Sequence, residues 1–374
     1  MSFKVSNDFL DAFHRIGAKP GCDYGEPPAE KLSLLLRPAF IAPKGKTLVW
    51  GDWSNIEARV LPWLAASRGA EDKLDIFRAV DADKSQPDVY IRTAADLLEL
   101  DAAELWADFR DEEAAGHAYA KQVRQSHGKV PELALGFGGG LGALQAMATA
   151  YGVYLEEVKA KEMIDRWRSA NAWARTFWGG HGREGSFGIW GAVNSALANP
   201  ETVFAAGRVA YVFDPNYLGG TLFCALPCGR LLTYPAIKWG WREVEDKKTG
   251  KLVDRYQLSY LKGYARTGAW YGKFAENITQ AGAASVLRRT LKRLDREWAK
   301  TDAGGYARYN EFMPVVMHTH DEVVTEVPEW AEHQAGRALH EVMVTNDEWD
   351  EGLPLAAEIS SGWFYTKNAK EMEL

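Results

Sequence analysis

The chain has 374 residues, 47% hydrophobic and 25% charged, the balance of a globular protein rather than a disordered or fibrous one. Fifty-one acidic side chains against 44 basic ones leave a net charge of −7, which excludes a globally basic nucleic-acid coat but leaves room for a local basic cleft. The length exceeds what one compact core usually supports, so one large or two interlocked domains are expected.

Three cysteines, Cys22, Cys224 and Cys228, cannot build a disulfide framework. With no His or Cys cluster beside them, Cys224 and Cys228 read as buried or half-buried thiols rather than zinc ligands. No apolar run is long enough to span a membrane, and the N-terminus lacks the apolar stretch of a signal peptide. A soluble, cytoplasmic protein of a reducing compartment is expected.

In chain order, residues 1–30 are of mixed character, end in a turn-rich Pro20–Pro28 stretch, and read as an N-terminal arm. The apolar run Thr47–Gly51 predicts a buried strand. Ser54 then opens a predicted helix whose Ile56, Val60, Leu61 and Leu64 share one stripe, with Pro62 as a kink. From Asp72 to Ala174 the pattern is helical almost throughout, broken at Gly136–Gly142 by the run GFGGGLG. From Thr221 to Leu261 short apolar segments alternate with turn signals, which predicts hairpin strands. A long helix is predicted over 272–300, basic at its far end through Arg288, Arg289, Lys292 and Arg293. Met313–Pro328 reads as two strands with a tight turn at His320-Asp321, and 329–346 as a last helix. This order is that of an α+β fold rather than of alternating βαβ units.

Four stretches bear residues suited to chemistry. At the exit of the first strand stands Gly51-Asp52-Trp53-Ser54-Asn55-Ile56-Glu57-Ala58-Arg59, where a carboxylate is poorly placed as core and well placed as a metal ligand; helix capping by Asp52 or Ser54, with Glu57 completing a capping box, is the alternative. His318-Thr-His320-Asp321-Glu322 puts adjacent carboxylates at a hairpin tip between apolar flanks. A solvated turn explains such residues equally well, but carboxylates in a buried hairpin need a cation. The two histidines find no third ligand at a zinc spacing. Lys129, Leu133 and Phe137 fall at i, i+4 and i+8, one face of a helix, where a cation meets phosphate and a ring stacks on a base. An ordinary amphipathic helix ending in glycine has the same pattern, and GFGGG fits no phosphate-loop signature. Finally, Glu276 and Gln280 share a helix face from which a minor groove could be read.

In this order and spacing, the stretches resemble the polymerase core of family A DNA polymerases, phage polymerases most of all. Arg37-Pro-Ala-Phe-Ile-Ala-Pro followed by Asp52 to Arg59 is similar to the family's first motif, Lys129 to Gly138 to its fingers motif, and His320-Asp321-Glu322 to its palm hairpin. Glu276 to Gln280 is similar to the helix before that hairpin. The likeness runs from about Leu32 to the end. It implies an α+β right-hand polymerase core with an antiparallel-sheet palm and a mostly helical fingers domain. Palm would comprise 31–66 and 270–374, and fingers 67–269.

The resemblance also implies roles. Asp52 and Asp321 would hold two Mg²⁺ ions, for which Mn²⁺ can substitute, and the Trp53 carbonyl would complete the coordination. Lys129, with Arg124 and Tyr90, would meet the triphosphate. Leu133 and Phe137 would line the base pocket, and Glu57 would close the sugar pocket against a 2′-hydroxyl. Arg59, Gln280 and His320 would touch DNA, and Glu322 would stand behind the metal ligands. Several positions depart from the family pattern. Gln125 replaces an arginine, Tyr90 a phosphate-contacting histidine, Leu133 an aromatic and Phe137 a tyrosine, while Pro131 should start the helix afresh. The expected activity is template-directed DNA synthesis from primer-template DNA and deoxynucleoside triphosphates. The thirty or so residues before the first motif are too few for a thumb or a proofreading exonuclease, which a separate thumb, exonuclease or processivity subunit would then supply. The rivals are a non-catalytic or partner-dependent nucleic-acid-binding subunit and a single-subunit RNA polymerase.

Overall fold

The computed structural model describes residues 36–179, 187–245, 250–296, 298–300, 306–367 and 369–373; the arm expected over 1–30 lies outside them, as does Cys22. Strand β1 (Lys46–Trp53) leads into the helices α1 (Ile56–Ala65), α2 (Arg68–Ala82), α3 (Val89–Leu98), α4 (Ala102–Arg110), α5 (His117–Val123), α6 (Val130–Leu135), α7 (Leu141–Ala150), α8 (Glu157–Ala170), α9 (Ala172–Trp178) and α10 (Gly188–Ala198). Strands β2 (Phe204–Ala206), β3 (Val209–Asp214), β4 (Thr221–Ala225), β5 (Leu231–Tyr234), β6 (Lys238–Glu245), β7 (Leu252–Lys262) and β8 (Ala265–Gly268) follow, then the long α11 (Tyr271–Arg296). The chain closes with β9 (Trp298–Lys300), β10 (Tyr306–Arg308), α12 (Tyr309–Phe312), β11 (Val315–Thr319), β12 (Glu322–Pro328), α13 (Glu332–Val344) and β13 (Ala357–Gly362). The expected α+β class is present. The hairpin region begins earlier than expected, at Phe204, and β13 is an element that the sequence pattern did not reveal.

Two compact units divide the chain. A sheet unit takes the residues up to Ser54, Ala284–Thr345 and Leu355 onward; a helical unit takes Asn55–Ala283 and Asn346–Pro354. These limits differ from the expected 31–66, 67–269 and 270–374. One falls directly after β1 and another inside α11, where an unbroken helix carries no change of composition to mark it.

In the sheet unit four antiparallel strands run in the order β11-β12-β1-β13, with β1 in the interior. Thr47–Gly51 of β1 are all buried, as an interior strand covered on both faces should be. Leu48 and Trp50 join Val324 and Tyr365 in one cluster, in which Trp50 meets Tyr365 edge to face at 5.5 Å. On the other face lies α13, so close that a Cβ on Gly51 would come within 2.3 Å of the Met343 sulfur. The Trp53 indole N–H donates to the Met343 carbonyl at 3.1 Å, fixing the end of the strand.

In the helical unit, α5 and α6 form one rod through a π-helical turn, Arg124–Lys129. The cause is Pro131. Lacking an N–H, it cannot serve the α-helical ladder, and the Val130 N–H reaches back five residues to the Gln125 carbonyl instead. The α-helix accordingly restarts at Val130 with Pro131 in its first turn, as expected, while the π-helical turn keeps the rod continuous. Gly128 allows the rod to approach α3, since a Cβ there would lie 2.2 Å from the Tyr90 carbonyl oxygen. Glu132 locks the rod to its neighbours: its buried carboxylate accepts from Lys73 of α2 (2.8 Å), Thr93 of α3 (2.6 Å) and Trp167 of α8 (3.2 Å).

Candidate active site

Asp52 sits at the last turn of the pleat in β1, with Glu322 of β12 directly opposite on one side and Glu358 of β13 on the other. Directly opposed residues of antiparallel strands share a face, so three carboxylates form a row across the sheet. Asp321 joins them from the tip of the β11–β12 hairpin, where the Trp53 N–H donates to the Asp321 carbonyl at 3.4 Å. The tight turn rests on His320, exposed and left-handed at φ 51°. Helix capping does not account for Asp52, which belongs to the strand; the residue before α1 is Asn55, also left-handed at φ 56° and without a side-chain cap.

The carboxylates have different partners. Arg37 grips Glu322 with two bonds, 3.0 and 2.7 Å, and gives a third N–H to the Tyr365 hydroxyl at 2.6 Å; that hydroxyl itself donates to Glu322. Burial alone would raise the Glu322 carboxyl, but the bonds from Arg37 and Tyr365 outweigh it and hold it below the usual range. No ion pair to Asp52 or Asp321 occurs among the described residues. Desolvation, and then the charges of Asp321, Glu322 and Glu358, push the Asp52 carboxyl up to about 7, while Lys367 pulls weakly the other way. Asp321 is raised too, first by desolvation and then by Glu322. Of these four carboxylates, Glu322 is neutralised by Arg37, Glu358 accepts from the Ser54 hydroxyl at 3.4 Å, and Asp52 and Asp321 have no ion pair among the described residues. Among the described residues no group of three or more His, Cys, Asp or Glu could hold a metal ion, so a zinc-type cage is absent there. Two carboxylates and a main-chain carbonyl suit instead a hard cation such as Mg²⁺, which keeps several waters and takes few protein ligands.

The helical unit brings a second group together. Glu57 and Leu61 of α1, Leu133 and Phe137 of the α6 end, and Trp167 and Trp173 line one pocket. Three of the expected nucleotide residues, Glu57, Leu133 and Phe137, therefore meet. Lys129 does not line this pocket; it is half-buried, its ammonium 5.2 Å from the centre of the Tyr151 ring. Of the glycines after Phe137, Gly138 and Gly139 serve packing: Gly138, at φ +74°, lies against the Tyr271 ring, which a Cβ would meet at 2.5 Å, and a Cβ on Gly139 would lie 2.1 Å from the Ala134 carbonyl oxygen, whereas Gly140 and Gly142 face open space.

Other expected site residues lie elsewhere. Arg124 donates twice to Asp88, at 2.8 and 2.6 Å, with its guanidinium over the rings of Tyr90 and Phe109. Tyr90 is buried, and its hydroxyl donates to the Asn55 side chain at 2.5 Å. Arg59, expected at DNA, is 2% exposed and forms a two-bond pair with the half-buried Asp81 at 2.5 and 2.8 Å. Gln280 is exposed on α11, and Glu276 receives Lys273 at 2.8 Å. In the basic end of α11, Arg289 and Arg293 are turned to the carbonyls of Met343 and Thr345, which removes two of its four cations from any external patch. Sequence reasoning missed Glu358, Arg37, Tyr365 and Lys367 as parts of the site. Arg37 stood inside a quoted motif; the others lie on or after a strand too short to announce itself.

A comparison with known proteins bears on this arrangement. The chain is 31% identical over 346 residues to a DNA polymerase of Bacillus phage SP02, a match covering 92% of this chain and 45% of that protein. The chain thus spans about half the length of this curated relative. No protein-family model matches. In fold it is similar to the POL domain of Pol1 from M. smegmatis, whose structure was solved in complex with DNA primer-template and dNTP: the TM-score is 0.52 at 16% identity, covering 91% of this chain and 43% of that one. The chain has the α+β fold of a polymerase domain, and the likeness to a family A-type core read from its motifs is borne out. No helix among the described residues is long and apolar enough to cross a membrane.

Proposed function

We propose that the chain is the catalytic core of a template-directed DNA polymerase, adding deoxynucleotides to a primer 3′-end. The observation that carries this reading is the group of carboxylates in which Glu322 has its own cation while, among the described residues, Asp52 and Asp321 have no ion pair and are both raised. Asp52 and Asp321, with the Trp53 carbonyl, would hold Mg²⁺. The ions, when bound, supply charge neutralisation for the triphosphate and lower the pKa of the primer 3′-hydroxyl. Arg37 and Tyr365 keep Glu322 ionised and in place, so that it orients the hairpin without competing for the cation. Lys129 grips the triphosphate and stands ready to protonate the departing pyrophosphate. Leu133 and Phe137 offer an apolar wall to the base, and Glu57 crowds the sugar where a 2′-hydroxyl would project. Gln280 and His320, both exposed, contact the duplex. Arg59 acts from within the helical unit by bracing α1 through Asp81.

Primer extension tests the reading, with Mg²⁺ and each deoxynucleotide in turn. Asp52→Ala and Asp321→Ala should each lose about a thousandfold or more in rate, several kcal/mol of transition-state stabilisation. Near wild-type extension by either variant would remove the metal assignment. A labelled mismatched 3′-end in the same assay should stay intact, as expected of a chain without proofreading activity. Ribonucleotides in place of deoxynucleotides should extend poorly, and efficient use of them would favour an RNA polymerase.

A further inference from the structure

Strands β6 and β7 continue beyond β8 as a two-stranded ribbon. β8 pairs only with Ser259–Lys262, whereas β6 pairs with β7 from Ser259 down to Leu252. Residues Leu252–Tyr256 are all exposed. Such a ribbon is marginal in water by itself. Here Trp241 packs across the strands on Tyr256 at 5.5 Å, and Trp239 stacks on the other side of Tyr256 at 5.6 Å and 16°. Trp239 then meets Trp190 of α10 at 5.9 Å, which ties the ribbon to the helical unit.

The register sorts the remaining side chains. Trp241 and Tyr256 share a face with Glu243, Glu245 and Asp254. Lys238, Arg242, Arg255 and Gln257 take the opposite face, as does Arg266 through its pairing with Leu261. Every carboxylate of the described strands of this sheet is thus on the aromatic face, together with Lys262, and every charged side chain on the other face is a cation, with Val244 and Val253 beside them toward the tip. Arg242 and Arg255 stand directly opposite each other. Like charges so placed destabilise a ribbon, and neither finds a carboxylate among the described residues; Arg242 gives an N–H to the Arg266 carbonyl at 2.6 Å.

Gly240 lies between Lys238 and Arg242 on this same face. A Cβ there would meet nothing within 4 Å, and its φ is not left-handed, so neither packing nor backbone conformation demands glycine. A glycine inside a strand weakens it and marks a place where another backbone comes close. Opposed arginines, the lack of an acidic partner for them among the described residues and an unforced glycine each cost the free ribbon stability. An anionic backbone laid along the face offsets the first two and uses the third.

We propose that the basic face of this ribbon binds the phosphodiester backbone of duplex DNA, as an arm beside the polymerase core; the proposal rests on the reading of the chain as a DNA polymerase and adds a grip to it. A two-stranded ribbon matches the major groove of B-DNA, about 12 Å wide. A single strand fits less well, because its unpaired bases would need exposed rings, and the exposed rings, Trp241 at 71% and Tyr256 at 54%, lie on the other face.

The test uses the full chain and a fluorescein-labelled duplex, without nucleotide or metal, followed by anisotropy across a salt series. The double variant Arg242→Gln/Arg255→Gln should bind roughly tenfold more weakly at low salt, and its slope of log K against log salt should fall by about two, one phosphate contact per arginine. Its melting temperature should hold or rise, because neutral side chains no longer repel. Gly240→Val, which places a side chain in open space, should likewise weaken binding without lowering the melting temperature. Unchanged affinity and slope overturn the proposal. Affinity and melting temperature falling together also overturn it, since the arginines would then be structural. An equal loss with the labelled single strand overturns the duplex assignment. A wild-type chain that extends primers while the double variant binds duplex as tightly leaves the polymerase reading standing and removes the arm alone; a wild-type chain that neither binds nor extends removes both.

Discussion

Replacing Asp52 by Asn should stabilise the metal-free protein while abolishing its chemistry, and the two effects should separate with pH. The Asp52 carboxyl is raised from 3.8 to about 7, first by desolvation and then by Asp321, Glu322 and Glu358. A gap of about three units corresponds to roughly 4 kcal/mol at 1.36 kcal/mol per unit. The side chain reaches solvent, and screening there brings the expected effect down to about 1 kcal/mol. The sign follows from proton linkage. A carboxyl with a raised folded pKa binds its proton more tightly in the folded state, so its stability is fully present below about pH 4 and is lost as pH rises through about 7. Asp321 acts in the same direction, whereas the lowered Glu322 stabilises above its ordinary range and loses that contribution in acid. Thermal melts in chelator should therefore place Asp52→Asn level with wild type near pH 4 and about 2 °C above it near pH 8. Millimolar Mg²⁺ should raise the wild-type midpoint, as any ligand of the folded state does, and move the variant little. A variant that melts below wild type at pH 8 in chelator, or a gap that does not change with pH, would show that the row is not under electrostatic strain.

Two further outcomes are expected. Glu57→Ala should raise ribonucleotide relative to deoxynucleotide incorporation in competition assays, because a packed pocket cannot relax around a 2′-hydroxyl without losing contacts; an unchanged ratio would leave Glu57 as no more than an acidic residue in the first turn of α1. Glu132→Gln should cost about 2 kcal/mol in urea denaturation, since it takes the ion-pair partner from the half-buried Lys73 ammonium, and a change within about 0.5 kcal/mol would mean that the lock is unimportant.

What the sequence made legible was set by how local each signal is. β1 could be read because an interior strand is a continuous apolar run, and the β11–β12 hairpin because a turn with His320-Asp321 interrupts two such runs. The fold class followed from their order among helical stretches. β13 was hidden because Ala357–Gly362 alternates weakly, with two serines and a glycine on a strand whose partner lies some three hundred residues earlier. Glu358 went unseen with it, and so did the row of three carboxylates, which exists only once both neighbours of β1 are known. Other partners were hidden by their distance in the sequence. Arg59 and Arg124 look like phosphate ligands by type, yet each faces an aspartate that no short spacing predicts, Asp81 twenty-two residues on and Asp88 thirty-six residues back.

The departures from the family pattern in the helical unit become intelligible as one packing solution. Tyr90 holds the Asn55 side chain through its hydroxyl and carries the Arg124 guanidinium on its ring, while Arg124 neutralises Asp88. Asp88 in turn caps α3 by accepting from the Ile91 N–H at 2.8 Å. Gly128 lets the rod containing Arg124 reach the Tyr90 backbone, and the π-helical turn that Pro131 imposes lies in that same segment. Such turns are frequent where a helix serves a functional site. Each member needs another: without Gly128 the rod would stand off from α3, and without that approach the Arg124 guanidinium would not reach Asp88. Asn55, the left-handed residue at the end of this chain of contacts, directly precedes the helix that bears Glu57. Tyr90, and Arg124 stacked on its ring, are thereby connected through Asn55 to the start of α1.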